Sequence, residues 1–329
     1  MNWNFIKSRM LMRMAILAVC AVFLAASFAA AQWQPRKPVE FVVMAGKGGG
    51  AGKLSRLFQA IIQKGNFSNQ PFVPVYKSGG SGAEALVYMR QKRRDSHTIL
   101  LTLNSFFTTP LRQKNLRIDI ETFSPIARMA LDTFVLWVNV DKNITNLQGW
   151  VDAVRAKGKS WNMAGTGKFQ EDQLLTDMLE ATFNLKMTYT PYKGGGTVAK
   201  NLAGNHTDST VNNPAEQDSW HKAGKTRPLA AFTPTRLAMY PDVPTFKELG
   251  YDGMSYYMQR SIIGPPQMPQ EAVDYYIGVF RKVHESARWV AHAKKKSLFR
   301  DFITGQDLKN YFLSELEKHK VLLKRIGEM

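Results

Sequence analysis

Between Val39 and Thr233, short apolar runs rich in β-branched residues alternate with stretches of helical spacing. This alternation narrows the possible folds more than any other feature. Val39–Val43 reads as a strand, and Leu54–Ile62 repeats apolar residues at helical intervals. Phe72–Tyr76 is a second strand, Ala83–Gln91 a helix and Thr98–Leu103 a third strand. The pattern resumes with Phe134–Asn139 as a strand, Leu147–Ala156 as a helix, Ser160–Met163 as a strand and Asp172–Ala181 as a helix. It continues through Val198–Ala203, Asp208–Asn212 and Leu229–Thr233, and Gln270–Glu328 is mostly helical. Such succession predicts an α/β architecture of parallel sheets with helices on both faces. Glycine-rich loops follow strands at 46–52 and 79–82, then again at 165–167 and 194–196. Ligands of open α/β sheets sit at the carboxyl ends of strands, so two sets of loops predict two lobes sharing one cleft.

The chain opens with Lys7, Arg9 and Arg13 and no acid, followed by the apolar stretch Met14–Ala26 and small residues at Ala29-Ala30-Ala31. This is the pattern of a secretory signal over residues 1–31, too short for a spanning helix, cut before Gln32. Leu17-Ala-Val-Cys20 is similar to a lipoprotein box, but Val19 is too large for the position before the cysteine. Cys20 is the only cysteine, so the exported chain has no disulfide, thiol nucleophile or cysteine metal site. Its stability must come from core burial, for which about 300 residues suffice, more naturally in two domains. The net charge of +18 stays strongly positive without the three bases of the leader. The bases are scattered, and Lys92-Arg93-Arg94 and Lys294-Lys295-Lys296 read as solvated runs. An exported chain has little use for nucleic acid, which leaves small anions as partners.

The stretch from Met44 to Arg56 joins the first strand to the first helix, where free N–H groups and the helix dipole favour an anion. A Walker loop is excluded, since its first glycine falls on Lys47 and its hydroxyl position on Leu54. Gly46-x-Gly48-x-x-Ala51 fits dinucleotide spacing, but no acid lies between Glu40 and Glu84 to hold a ribose. The backbone chemistry survives both tests. Gly48, Gly49, Gly50, Ala51 and Gly52 carry almost no side chain, so their amides can approach a ligand closely. Hydrogen bonds to a charged group contribute about 1.5–3 kcal/mol each, so two or three can anchor a carboxylate. A plain tight turn is the alternative.

An ordered set of motifs then points to a family. Gly48-Gly49 with Arg56, Gly80-Ser-Gly82, Asp95-Ser-His97-Thr98-Ile-Leu100 and Phe123-Ser-Pro125-Ile-Ala127 come first. Gly165-Thr-Gly167, Pro191-Tyr-Lys-Gly194, Ala223-Gly224-Lys-x-Arg227-Pro-Leu229 and Pro241–Gly250 follow in order. Together they resemble the solute-binding receptors of tripartite tricarboxylate transporters, the Bug-type periplasmic receptors, over essentially the whole chain after the leader. The resemblance implies a two-lobed periplasmic-binding-protein fold, a class II-like Venus flytrap with the ligand cleft between lobes. It implies one lobe at 37–136 plus 259–329 and another at 137–258, with crossings near Leu136 and Gln259. It places a ligand carboxylate against Gly48–Gly52 and against Gly165, Thr166, Gly167, Lys168 and Glu171. Asn104, Ser105, Lys193, Gly194, Gly195, Asn212 and Asn213 are expected to shape the rest of the pocket. The expected partners are a small organic carboxylate and integral membrane transporter subunits. A periplasmic monomer without cofactor or metal is expected.

Two departures from the family pattern bear on the ligand. The family's first loop usually has an aspartate where Gly52 stands, and its second commonly reads Gly-Ser-x-x-His-Leu where this chain has Lys168-Phe-Gln-Glu171-Asp172. Glu171 and Asp172 either cap a helix start, where acids are favoured, or face the cleft. A cleft-facing Glu171 repels a second carboxylate and favours a ligand hydroxyl or amine. Among rival functions, Gly79-Gly-Ser81-Gly-Ala83 falls short of the nucleophile elbow of an exported hydrolase. His97, His206, His221, His284, His292 and His319 show no metal-ligand spacing. A carboxylate sensor that signals to a membrane partner remains compatible with the sequence.

Overall fold

The computed structural model describes residues 33–329. The expected signal segment therefore lies outside the described residues. Two mixed sheets organise the chain from Pro35 onward. The first contains β1 (Val39–Val43), β2 (Phe72–Tyr76), β3 (Thr98–Leu101), β4 (Phe123–Thr133), β10 (Tyr257–Pro266) and β11 (Phe299–Ile303). Their order is β2-β1-β3-β10-β4-β11. The second contains β5 (Val135–Asn139), β6 (Asn162–Thr166), β7 (Thr188–Tyr192), β8 (Ser209–Asn212) and β9 (Thr226–Ala231), in the order β7-β6-β8-β5-β9.

The parallel sheets expected from the sequence form with antiparallel strands added at the crossings. β1, β2 and β3 pair in parallel, as do β6, β7 and β8. β10 runs antiparallel between β3 and β4, and β5 runs antiparallel between β8 and β9. β4 passes into β5 across the single residue Phe134, so the change of sheet falls there, and Leu136 already pairs with Val211 and Ala230 of the second sheet. Gln259 lies inside β10, paired with Leu131. A strand arriving from the other sheet starts at the cleft and runs away from it, whereas the strands that bring loops to the cleft run toward it. Opposite direction is thus forced on the visiting strand, because parallel neighbours need a crossover.

The helices that matter to the site each begin at a strand's carboxyl end. They are α1 (Gly50–Lys64) after β1, α2 (Ala83–Gln91) after β2, α3 (Ser105–Arg112) after β3, and, past α4 (Leu147–Lys157), α5 (Glu171–Phe183) after β6. α6 (Gly195–Ala203) follows β7 and α7 (Pro214–Lys222) follows β8. α1 buries Leu54, Phe58, Ile61 and Ile62, the apolar residues that gave its helical spacing. Phe58 and Phe41 meet Phe280 of α8 (Gln270–Glu285), and Phe58 also meets Trp289 of α9 (Ala287–Lys295). Each large ring buried this way contributes about 1.5–3 kcal/mol, consistent with a fold stabilised without disulfides. On the other face, Phe106 and Phe107 of α3 pack on Phe312 of α10 (Gly305–Arg325). β11 interrupts the mostly helical C-terminal segment; its sequence Phe299-Arg-Asp-Phe-Ile303 suits an edge strand, where charges deter further pairing. No helix among the described residues is long and apolar enough to cross a membrane.

Candidate functional site

The carboxyl ends of β1, β2, β3, β6, β7 and β8 all open on one cavity of about 760 Å³ between the lobes. The two side-chain-poor turns face each other across it. A Cβ on Gly49 would lie 4.0 Å from the Cα of Gly194, and one on Gly46 would come within 2.9 Å of the Lys193 carbonyl. Gly194 has φ +153°, a conformation that favours glycine, and this brings the second turn against the first.

Of the residues expected from the sequence, Gly49, Gly50, Ala51, Thr166, Gly167, Glu171, Lys193, Gly194, Gly195 and Asn213 line the cavity. Gly48, Gly52, Asn104, Ser105, Gly165, Lys168 and Asn212 do not line it. Gly48 is exposed at the rim. Gly52 is buried, and a Cβ there would collide with the Lys47 and Gly46 carbonyls, so the family aspartate has no room in this loop. Asn104 ties the end of β3 to the returning chain, donating from Nδ2 to the Tyr256 hydroxyl (2.9 Å) and the Tyr257 carbonyl (2.8 Å). Gly165 leaves room for the Tyr189 ring, and that tyrosine's hydroxyl donates to the Thr166 carbonyl. Asn212 donates to the Gly195 carbonyl at 3.0 Å, fixing the start of α6. Lys168 is exposed, and its carbonyl accepts from Ser81 Oγ across the cleft.

The amides of the first lobe are engaged in a way the sequence did not reveal. Glu216, in the first turn of α7, accepts the Gly50 N–H on Oε1 at 3.0 Å. Glu171, at the start of α5, accepts the Ser105 N–H on Oε1 at 2.6 Å. Thus two carboxyls of the second lobe sit on the N-termini of α1 and α3 in the first, where the helix dipole favours them. Glu171 therefore does both things left open by the sequence: it caps a helix start, that of α3 through the Ser105 amide, and it lines the cleft. Asp172 accepts the Thr166 N–H at 2.8 Å.

Burial holds all three carboxyls above the usual range. Glu216 is pushed up to about 7, with the Arg260 guanidinium opposing the effect and Asp132 reinforcing it. Asp172 is raised well above its ordinary value by burial and by its neighbours Glu216 and Glu171. Glu171 is raised by burial against the opposing pull of its own amide and that of Ser105. Arg260, on β10, is 3% exposed and pairs with Asp132 of β4, its Nε donating to Oδ2 at 3.1 Å. Arg260 lines the cavity beside Gly50. Sequence reasoning missed this pair, although a charge inside an apolar strand run, as in Leu131-Asp132-Thr133 and Gln259-Arg260-Ser261, signals that a partner must exist. It also missed Glu216, which reads in sequence as an ordinary first-turn acid behind Pro214.

Ser81, the hydrolase candidate, donates its hydroxyl to the Lys168 carbonyl and not to an imidazole. No group of three or more His, Cys, Asp or Glu among the described residues is arranged to hold a metal ion.

The strand order and the placement of the cleft define a two-lobed α/β fold with a cavity between the lobes. The model of the tripartite tricarboxylate transporter family receptor matches residues 62–328, and the chain belongs to that family of periplasmic solute-binding receptors. It is 24% identical over 322 residues to a UPF0065 protein of Bordetella pertussis, covering 94% of this chain and 96% of that protein. The Protein BugT of the same organism is 24% identical over 246 residues, covering 72% of this chain and 74% of BugT. Among solved structures, the periplasmic binding protein BugD superposes with a TM-score of 0.83 at 20% identity, over 89% of this chain and 98% of that one. An R. palustris protein with adipate gives 0.83 at 22% identity, with the same shares of the two chains. MatC from Rhodopseudomonas palustris, with bound malate, gives 0.80 at 18% identity, over 88% of this chain and 99% of MatC. The family and these neighbours are binding proteins, not enzymes.

Proposed function

We propose that this chain is exported to the periplasm, captures a small organic carboxylate by closing its two lobes, and hands the ligand to the membrane subunits of a tripartite tricarboxylate-type transporter. The moving bodies are the two sheets with their helices, hinged at Phe134 and in the chain between β9 and β10. The receptor works as a monomer. The observation that carries the proposal is the set of contacts spanning the cleft. Glu171 on Ser105, Glu216 on Gly50 and the Arg112–Asp177 ion pair at 3.5 Å each join one lobe to the other. Such contacts exist only with the lobes together, so a ligand that touches both turns shifts the population toward closure. The ligand lies among Gly49–Ala51, Thr166–Gly167 and Lys193–Gly195. Adipate and malate on relatives of the same fold favour an organic acid as the cargo.

Titration calorimetry of the purified chain against mono-, di- and tricarboxylates, aromatic acids and amino acids tests the reading. Saturable one-to-one binding of at least one organic acid is the expected result. Failure of every acid to bind would overturn it.

A further inference from the structure

Carboxyls line the cleft where an acid-binding protein would be expected to present bases. Three carboxyls, Glu171, Asp172 and Glu216, line it. Of the two bases on the lining, Arg260 is already paired with Asp132. The other, Lys193, pairs with no acid among the described residues and is exposed toward the rim. Glu216 also holds the spot where the opening glycine turn would otherwise grip an anion: its Oε1 accepts the Gly50 N–H at 3.0 Å, and the carboxyl fills the space that a side chain on Gly195 would occupy. The protein thus supplies its own carboxylate to the N-termini of α1 and, at Gly195, of α6.

We propose that Glu216 makes the receptor selective for an organic acid that also carries a protonated amine, with the amine lodged against Glu216 and the ligand's carboxylate toward Lys193. The proposal rests on the solute-receptor reading and names the class of solute. A ligand carboxylate at the Gly50–Gly195 end would find the Gly50 amide already taken by Glu216 and the neighbouring Arg260 already paired with Asp132. An ammonium group there makes charge-assisted hydrogen bonds with a carboxyl already fixed by an amide. Glu171 and Asp172 deepen the preference, because they too favour a cation in the same cleft.

The test uses matched pairs in which one carboxylate of a dicarboxylate is replaced by an amine: succinate with β-alanine, glutarate with 4-aminobutyrate, adipate with 5-aminopentanoate. Dissociation constants are measured by calorimetry for the wild type and for Glu216→Gln, whose amide oxygen still accepts the Gly50 N–H. The wild type is expected to bind the amino member of the fitting pair at least tenfold more tightly than the dicarboxylate. Glu216→Gln is expected to cut that ratio at least tenfold. Wild-type binding of the dicarboxylate at equal or higher affinity, or an unchanged ratio in Glu216→Gln, overturns the proposal while leaving the receptor reading intact. Failure of every acid, in these pairs and in the wider panel, overturns the receptor reading and this proposal with it.

Discussion

Replacing Asp132 with Asn probes the buried pair that links the cleft to the hinge strands. Asp132 and Arg260 are 2% and 3% exposed, on adjacent strands β4 and β10, and Asp132 also accepts the Thr133 N–H on Oδ1 at 2.9 Å. Asn keeps the shape and the amide contact but leaves a guanidinium buried without its counter-charge. Removing one partner of such a pair typically costs about 3–5 kcal/mol. Unfolding about 300 residues carries an entropy near 0.6 kcal/mol/K, taking about 2.1 cal/mol/K per residue, so the midpoint should fall by about 5–8 °C. The loss depends on pH in a defined sense. Asp132 is one of the groups that raise Glu216 toward about 7, so its removal lets Glu216 ionise more readily beside Arg260. The smaller loss is therefore expected at pH 8 and the larger at pH 5, where Glu216 is protonated. Differential scanning fluorimetry at both values reads the shift, and Asp132→Leu with Arg260→Met should recover most of it. A fall of less than about 2 °C at both pH values would refute the claim that this pair is buried and coupled.

Two further outcomes follow from the interlobe carboxyls. Glu216 and Asp177 are each pushed up to about 7, chiefly by burial, so the folded chain holds protons that the unfolded chain has released. Their contribution is present below the ordinary carboxylate range and is lost as pH rises toward about 7; thermal midpoints at pH 5 to 8 should show that decline in the wild type and a shallower one in Glu216→Gln, and parallel profiles would contradict it. Glu171→Ala removes the hydrogen bond to Ser105 and should widen the ligand-free chain, measured as a larger radius of gyration by small-angle scattering; an unchanged radius would deny Glu171 a part in holding the lobes together.

Much of the architecture was readable from the sequence, because burial writes periodicity into it. β1 and β2 form over the residues whose apolar run predicted them, and α1 extends the expected Leu54–Ile62 spacing outward to Gly50–Lys64. What escaped was long-range. Nothing local in Gln259-Arg260-Ser261 says that β10 inserts antiparallel beside β3, since pairing across more than 150 residues leaves no periodic trace. The glycine turns were legible because close approach excludes side chains, and Gly49 does lie against Gly194. Glu216 was not, because an acid in the first turn of a helix is ordinary, and only the folded chain shows that it sits on the N-terminus of another helix. Gly52 illustrates the converse: its lack of a side chain reflects packing against the Lys47 carbonyl and not the approach of a ligand.

On the proposed function, a small organic acid is held between the two glycine turns. Gly49→Trp tests it most directly, since a Cβ at Gly49 has ordinary contacts only (3.7 Å to the Gly46 carbonyl) and the indole must reach across toward Gly194. At a hundredfold excess over its dissociation constant, a bound acid adds about 2.7 kcal/mol and should raise the wild-type midpoint by about 4 °C. Gly49→Trp is expected to keep the wild-type circular dichroism spectrum and to lose this ligand-induced rise. An equal rise in the variant would place the acid elsewhere and contradict it.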